Sequence, residues 1–265
     1  MKRILAFLFV LVFPVVGSTP MFGQNMSGQV RPAKIILLPV PEDTLPPIHT
    51  AIREGDIETV RTLIDIGVDI NEKVGRNFAI RSHRGFTPLH MATTYGETEI
   101  IKLLIEKGAD VDDNLLHFVH TAEISQLFMT HGADLGAEHK NGTPLHTAAF
   151  AGNAEITDLF IKNGADANAR DAQGNTPLHH AWNAETAQVL IAGGADLEVQ
   201  NNYNGTPLHH AVSRDDIAFV QLLIDRGAGL NAKNNTGHTP LDIAINKRRT
   251  EIAALLREHG GVETE

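Results

Sequence analysis

The tetrapeptide Thr-Pro-Leu-His occurs four times, at Thr87-Pro88-Leu89-His90, Thr143-Pro144-Leu145-His146, Thr176-Pro177-Leu178-His179 and Thr206-Pro207-Leu208-His209. A fifth copy, Thr239-Pro240-Leu241-Asp242, ends in aspartate. The starts from Thr143 onward are 33, 30 and 33 residues apart. A fixed period of that length marks a stack of small units, each resting on its neighbours, rather than one mixed core. The tetrapeptide reads as a helix start. Threonine stands at the cap, where its hydroxyl accepts from an unpaired backbone N–H; proline follows at the first helical position, where its missing N–H costs nothing; leucine then opens the apolar face. A second apolar helix comes after a turn, as in residues 99–105, and stops at Gly108, where a left-handed cap residue is expected. The stop Gly-Ala-Asp returns at Gly132, Gly164 and Gly194, and as Gly227-Ala228-Gly229. Each unit is therefore helix, turn, helix, and a loop that leads to the next Thr-Pro.

The tetrapeptide, its period and the glycine stop resemble the ankyrin repeat. Two weaker units align with the full ones: Pro46-Pro47-Ile48-His49, closing at Gly67, and Asn114-Leu115-Leu116-His117, closing at Gly132. Both keep the apolar residue and the histidine but lose the threonine cap, so their first helices should be less well defined. The expectation is an all-α ankyrin-repeat solenoid of about seven helix-turn-helix units with intervening hairpin loops, starting at 46, 87, 114, 143, 176, 206 and 239 and filling residues 46–261. That is well above the three or so that such stacks need.

Departures from the period carry what is particular to this chain. Thr143 to Asp166 is 24 residues, but Thr176 to Asp196 and Asn114 to Asp134 are 21, so the third and fifth units each lack three residues between their two helices. Seventeen residues separate Asp69 from Thr87 against nine between Asp166 and Thr176, an insertion of eight that is locally basic. Only three residues lie between Asp110 and Asn114, too few for a hairpin. Inserted loops in repeat proteins often gather on a binding face, and drift in a solvent-exposed loop is the competing reading.

Lys2-Arg3 precedes a wholly apolar run, residues 4–16, and then Gly17-Ser18-Thr19, the order of charge, apolar core and small residues in a secretory leader. The run is too short to span a bilayer. Residues 1–23 are expected to be the leader, residues 24–45 a linker or capping segment, and the location exported, periplasmic or secreted, as in a bacterial protein of this type. A leader retained as an anchor is the alternative. No cysteine is present, so no disulfide supports the exported chain. The formal charge is −10, and −12 once Lys2 and Arg3 leave with the leader, which disfavours nucleic acid and anionic membrane as partners.

In ankyrin proteins partners commonly lie against the hairpin tips and the concave face of the first helices, so the resemblance implies a non-catalytic scaffold binding another protein, with no cofactor. Carried over by position, Arg84, Phe86, Gln173, Asn175, Asn202, Tyr203 and His238 fall at tips, and Arg53, Glu54, Thr94, Tyr95, Phe150, Trp182, Ser213, Arg214, Asn246 and Lys247 on the concave side. Arg84, Phe86, Tyr95, Phe150, Trp182, Tyr203 and His238 are the candidate binding residues. Tyr95, Phe150 and Trp182 come from three units and would form one patch. Packing between repeats competes with that for Phe150 and is the stronger expectation for Trp182, while Tyr203 and Phe86 should be exposed. The six motif histidines have a structural role by resemblance. His180 and His210, about one helix spacing of 10 Å apart, are the residues a metal-dependent enzyme would use, but shared zinc needs bonds of about 2 Å. No His-Glu-x-x-His, Gly-x-Ser-x-Gly or glycine-rich phosphate loop is present. The remaining alternative is an effector delivered to a host cell.

Overall fold

The computed structural model describes residues 45–75, 85–139 and 141–264. The expected leader, nearly all of the linker, and residues 76–84 of the basic insertion, including the candidate Arg84, lie outside the described residues. Among the described residues there are thirteen α-helices, one 3₁₀ helix and no strand. In chain order they pair as α1 (Pro47–Arg53) with α2 (Ile57–Asp65), α3 (Pro88–Tyr95) with α4 (Thr98–Glu106), and the 3₁₀ helix Asp113–His117 with α5 (Ala122–Thr130). Then come α6 (Pro144–Phe150) with α7 (Ala154–Lys162), α8 (Pro177–His180) with α9 (Ala184–Ala192), α10 (Pro207–Arg214) with α11 (Ile217–Asp225), and α12 (Pro240–Asn246) with α13 (Thr250–Glu258). No described helix is long and apolar enough to cross a membrane.

First helices stack on first helices and second on second: α6 on α8, α8 on α10 and α10 on α12 in one layer, α5 on α7, α7 on α9, α9 on α11 and α11 on α13 in the other. The core lies between the layers, where the motif leucines Leu89, Leu145, Leu178, Leu208 and Leu241 meet Phe128, Phe160, Phe219 and Leu256 of the second helices, all buried. Second helices start on their own caps: Asn153 accepts from the Ile156 N–H, Asn183 from Thr186 and Asp216 from Phe219. They stop where the sequence places glycine, as at Gly108 with φ 90°, a conformation a side chain would oppose.

Two local expectations need correcting. The first unit, with Pro46 in place of threonine, still forms a seven-residue helix, because Pro47 suits the first position and Ile48 and Ile52 are fully buried. In the clipped units the missing residues come out of the first helix, not out of the turn between helices. α8 is only four residues long, and Ala181 leaves the helix at φ −47° and ψ 120°. In the third unit the first helix is reduced to the 3₁₀ turn.

The motif histidine joins neighbouring units. In the box at Thr143, Thr176 and Thr206, the threonine N–H donates to Nδ1 of His146, His179 and His209, each at 3.1 Å. An Nδ1 that accepts carries no proton, so Nε2 carries it. The Nε2–H donates forward to the carbonyl of the residue just before the next threonine: Asn175 at 3.1 Å, Gly205 at 3.0 Å and His238 at 3.2 Å. His49 reaches the Phe86 carbonyl in the same way at 3.1 Å, but Pro46 has neither hydroxyl nor N–H to offer, and the buried His49 Nδ1 is left without a partner. His90 Nε2 meets a carboxylate oxygen of Asp112 at 3.3 Å, since the linker there is too short to present a tip carbonyl. His117 turns Nδ1 to the Thr147 hydroxyl at 3.1 Å. In the last unit Asp242 replaces histidine and accepts instead from the Thr239 N–H at 2.8 Å and the Thr264 N–H at 3.0 Å, which holds the tail against α12.

Candidate partner-binding surface

The histidines divide into a buried structural set and a second set tied to the tips. Burial pushes His49 and His179 down to about 4, against a partial rise from the carbonyls of Phe86 and Gly205. Burial also takes His210 to about 3, helped by the nearby His179 and Arg214. Burial keeps these side chains neutral at physiological pH. His180 donates to the Asp171 carboxylate at 2.7 Å, and His210 Nε2 lies 3.2 Å from the Asn201 amide. Their rings rest on motif histidines, His180 at 5.7 Å from His146 and His210 at 5.2 Å from His179. Among the described residues no group of three or more His, Cys, Asp or Glu is placed to hold a metal ion.

The tip loops are built on a feature absent from the sequence reading. Five residues before Thr176, Thr206 and Thr239 stand Asp171, Asn201 and Asn234. The Asp171 side chain accepts from the N–H groups of Gln173 and Asn175 at 2.9 and 2.8 Å, and Asn201 from Tyr203 and Gly205, both at 2.9 Å. Asn234 accepts from Thr236 and His238, both at 3.0 Å. An Asx side chain that bonds its own following backbone fixes a turn. Adjacent tips are also linked, Asn202 N–H to the Gln173 carbonyl and Asn235 N–H to the Tyr203 carbonyl, each at 2.9 Å. Tyr203, 59% exposed, is thus presented by a loop tied on both sides.

Not every tip residue points outward. The residue just before the threonine turns its carbonyl to the preceding unit's histidine, which draws its own side chain toward the stack. Phe86 is accordingly half-buried against the core, its ring 5.3 Å from His90 and 5.2 Å from Phe118, so the expectation of an exposed Phe86 is corrected. Asn175 is buried and donates to Asp171, and His238 is half-buried, with Nδ1 3.0 Å from the Thr236 hydroxyl.

Trp182 moves the other way. It was expected in the core but is 58% exposed, because α8 ends at His180 and the chain swings outward at Ala181. Its N–H donates to the Ala149 carbonyl at 3.0 Å, and its ring meets Phe150, itself 55% exposed, at 5.9 Å and 70°. Arg214 completes the group: its guanidinium stands 5.7 Å from the indole centre, and Nη1 donates to the carbonyls of Ala181 at 2.6 Å and His180 at 3.1 Å. These are carbonyls that a full-length first helix would have used. Tyr95 is 41% exposed at the end of α3, two units before Phe150, with the 3₁₀ unit between them. In that other clipped unit His120 takes the place of Trp182, just before the cap of the second helix, and bonds the Thr94 carbonyl at 3.3 Å. A cavity of about 210 Å³ opens there, lined by His117, His120, Thr147 and Asn153. Of the other concave candidates, Arg53, Glu54, Asn246 and Lys247 are exposed, and Thr94 and Ser213 half-buried.

This surface offers exposed ring faces, the Arg214 cation and backbone tied between units. Comparison with curated proteins finds no match. The family model described as ankyrin repeats, three copies, matches residues 28–114, 116–201 and 183–265. Ankyrin repeats are generally protein–protein interaction modules, typically without enzymatic activity. With the two helical layers, the forward-reaching histidines and a match over nearly the whole length, the chain belongs to the ankyrin-repeat family.

Proposed function

We propose that this chain is a non-catalytic scaffold of seven ankyrin units that works in an exported compartment and binds a partner protein through its tips and concave face. The observation that carries the reading is the division of the large aromatics. Phe128, Phe160 and Phe219 are fully buried, while Phe150, Trp182 and Tyr203 are more than half exposed, the last two on backbone that is hydrogen-bonded to a neighbouring unit. Exposed rings held in fixed positions are the usual anchors of an interface, and a surface ordered before contact loses little entropy on association. The compartment is supported by the leader-like order of Lys2-Arg3 and the apolar residues 4–16. The acidic balance, −10, argues against a nucleic-acid partner. The test is photo-crosslinking in the exported fraction with a crosslinker placed at Gln173, followed by identification of the adduct. A discrete protein adduct, reduced by Tyr203→Ala or Trp182→Ser without change in melting temperature, is expected. Absence of any adduct, or a chain retained inside the producing cell, contradicts the reading.

A further inference from the structure

We propose that the platform of Phe150, Trp182 and Arg214 docks an acidic segment of the partner protein, with an apolar side chain seated on the two rings and carboxylates reaching Arg214 and then Lys247 and Arg248 of the last unit. The inference rests on the scaffold reading above and adds the chemistry of the occupant. Three observations carry it.

First, the platform is built, not incidental. Shortening α8 uncovers the end of α6, where Phe150 lies, and lifts Trp182 onto it. The Trp182 backbone is held by Ala149 and the Arg214 side chain by the carbonyls of His180 and Ala181, so both groups are in place before any ligand arrives. A ring face that already carries one cation favours a partner that brings negative charge beside its apolar group.

Second, positive charge along this row of turns is concentrated at its last unit. The turns after the first helices carry Arg53, Glu54 and Asp56 in the first unit, Glu97 in the second, no charged residue at 150–153 or 181–183, and Arg214 with Asp215 and Asp216 in the sixth. The last turn holds Lys247, Arg248 and Arg249 in succession. Arg249 donates to the Asp215 carboxylate at 2.8 Å, and Lys247 and Arg248 are exposed. In a chain of formal charge −10, one end of the concave row is basic, and carboxylates are its complement.

Third, Arg248 stands in a left-handed conformation, φ 58°, at the turn position that Gly55, Gly96 and Gly152 fill in other units and Asp215 fills, at φ 65°, in the sixth. A side chain there costs on the order of 1 kcal/mol relative to glycine, and at Arg248 it places a cation at the exposed turn. Stacked helices lie about 10 Å apart. The Arg214 side chain reaches back to the Trp182 ring itself, whereas Arg248 stands two units beyond Trp182, a step that an extended chain covers in about six residues.

The chain contains a single tryptophan, so indole emission reads this platform directly. A library of random linear peptides about twelve residues long is selected on the full chain and, in parallel, on the exposed-site variant Trp182→Ser. Enriched peptides should carry an apolar residue with Asp or Glu close beside it and again about six positions on. They should shift Trp182 emission to the blue in a saturable way, and lose at least about tenfold in affinity for the double variant K247E/R248E. Enrichment for Lys or Arg, equal enrichment on Trp182→Ser, or no enrichment overturns the proposal. So does free-chain emission that is already blue: concentration-dependent emission would indicate a second copy on the platform, and concentration-independent emission residues 1–44 of the same chain. Peptides that bind both proteins alike would sink this site while the scaffold reading stands, whereas absence of any partner adduct would sink that reading itself.

Discussion

The units from Thr143 onward and those before it use the same histidine to different effect. From Thr143 onward His146, His179 and His209 each accept from their own threonine and donate forward to the next tip, an unbroken series. Before Thr143 each link is altered: His49 lacks its local donor, His90 meets a carboxylate and His117 a hydroxyl. The difference teaches that the motif does not act within its unit alone. It needs a threonine N–H behind it and a carbonyl in front, and insertion or deletion in a neighbouring loop removes one of these. The series is continuous where the tips are also linked, and that is where Trp182 and Tyr203 are presented.

Acidification should have the largest effect on this contrast. The unfolded chain takes up protons on histidine near pH 6.5, while folded His49 and His179 resist until about pH 4. Folded values below unfolded ones mean that stability is complete above about pH 6.5 and falls as pH drops toward 4. A shift of that size is worth up to about 3 kcal/mol per histidine. Denaturant midpoints measured from pH 8 down to pH 4 should fall steeply across that window; a flat curve would mean that these histidines are not held neutral by burial.

Next in size is Leu178→Ala, in the continuous region, which should cost about 2 to 5 kcal/mol as a cavity in a close-packed stack. Leu116→Ala should cost less, because Leu116 already borders the cavity beside the 3₁₀ helix. Urea titration of both variants measures the difference, and equal losses would show that the third unit is packed as tightly as the fifth.

The histidines themselves separate the regions more finely. His179→Leu removes a group bonded at both nitrogens and should cost about 2 kcal/mol, since the Thr176 N–H and the Gly205 carbonyl are left buried without partners. His49→Leu also gives up the bond to the Phe86 carbonyl, but it removes a nitrogen that already lacks a partner, so its cost should be smaller, under about 1 kcal/mol. The smallest effect runs in the opposite direction. Pro46→Thr supplies the missing hydroxyl and N–H and should stabilise the chain by about 0.5 kcal/mol; a melting temperature unchanged or lowered would contradict the role given to the box.

The helix pairs, their caps and their glycine stops were legible in the sequence because each depends on a local motif repeated at a fixed period. The fate of a deletion was not. Three residues missing between Thr176 and Asp196 can come from the turn or from the first helix, and only the packed structure shows that the helix was shortened, which is why Trp182 is exposed rather than in the core. Phe86 was misplaced for a related reason: its backbone serves the preceding histidine, a contact between residues 37 apart that no local pattern records. The Asx turns at Asp171, Asn201 and Asn234 were readable from their fixed distance to the threonine.

Native-state hydrogen exchange on the full chain tests the central contrast most directly, since it reports opening element by element. The continuous series predicts that the amides of α6, α7, α10 and α11 exchange together at the highest protection, with those of α1, α3 and the 3₁₀ helix opening at distinctly lower free energy. Protection that is uniform along the solenoid, or higher before Thr143 than after it, would contradict the account.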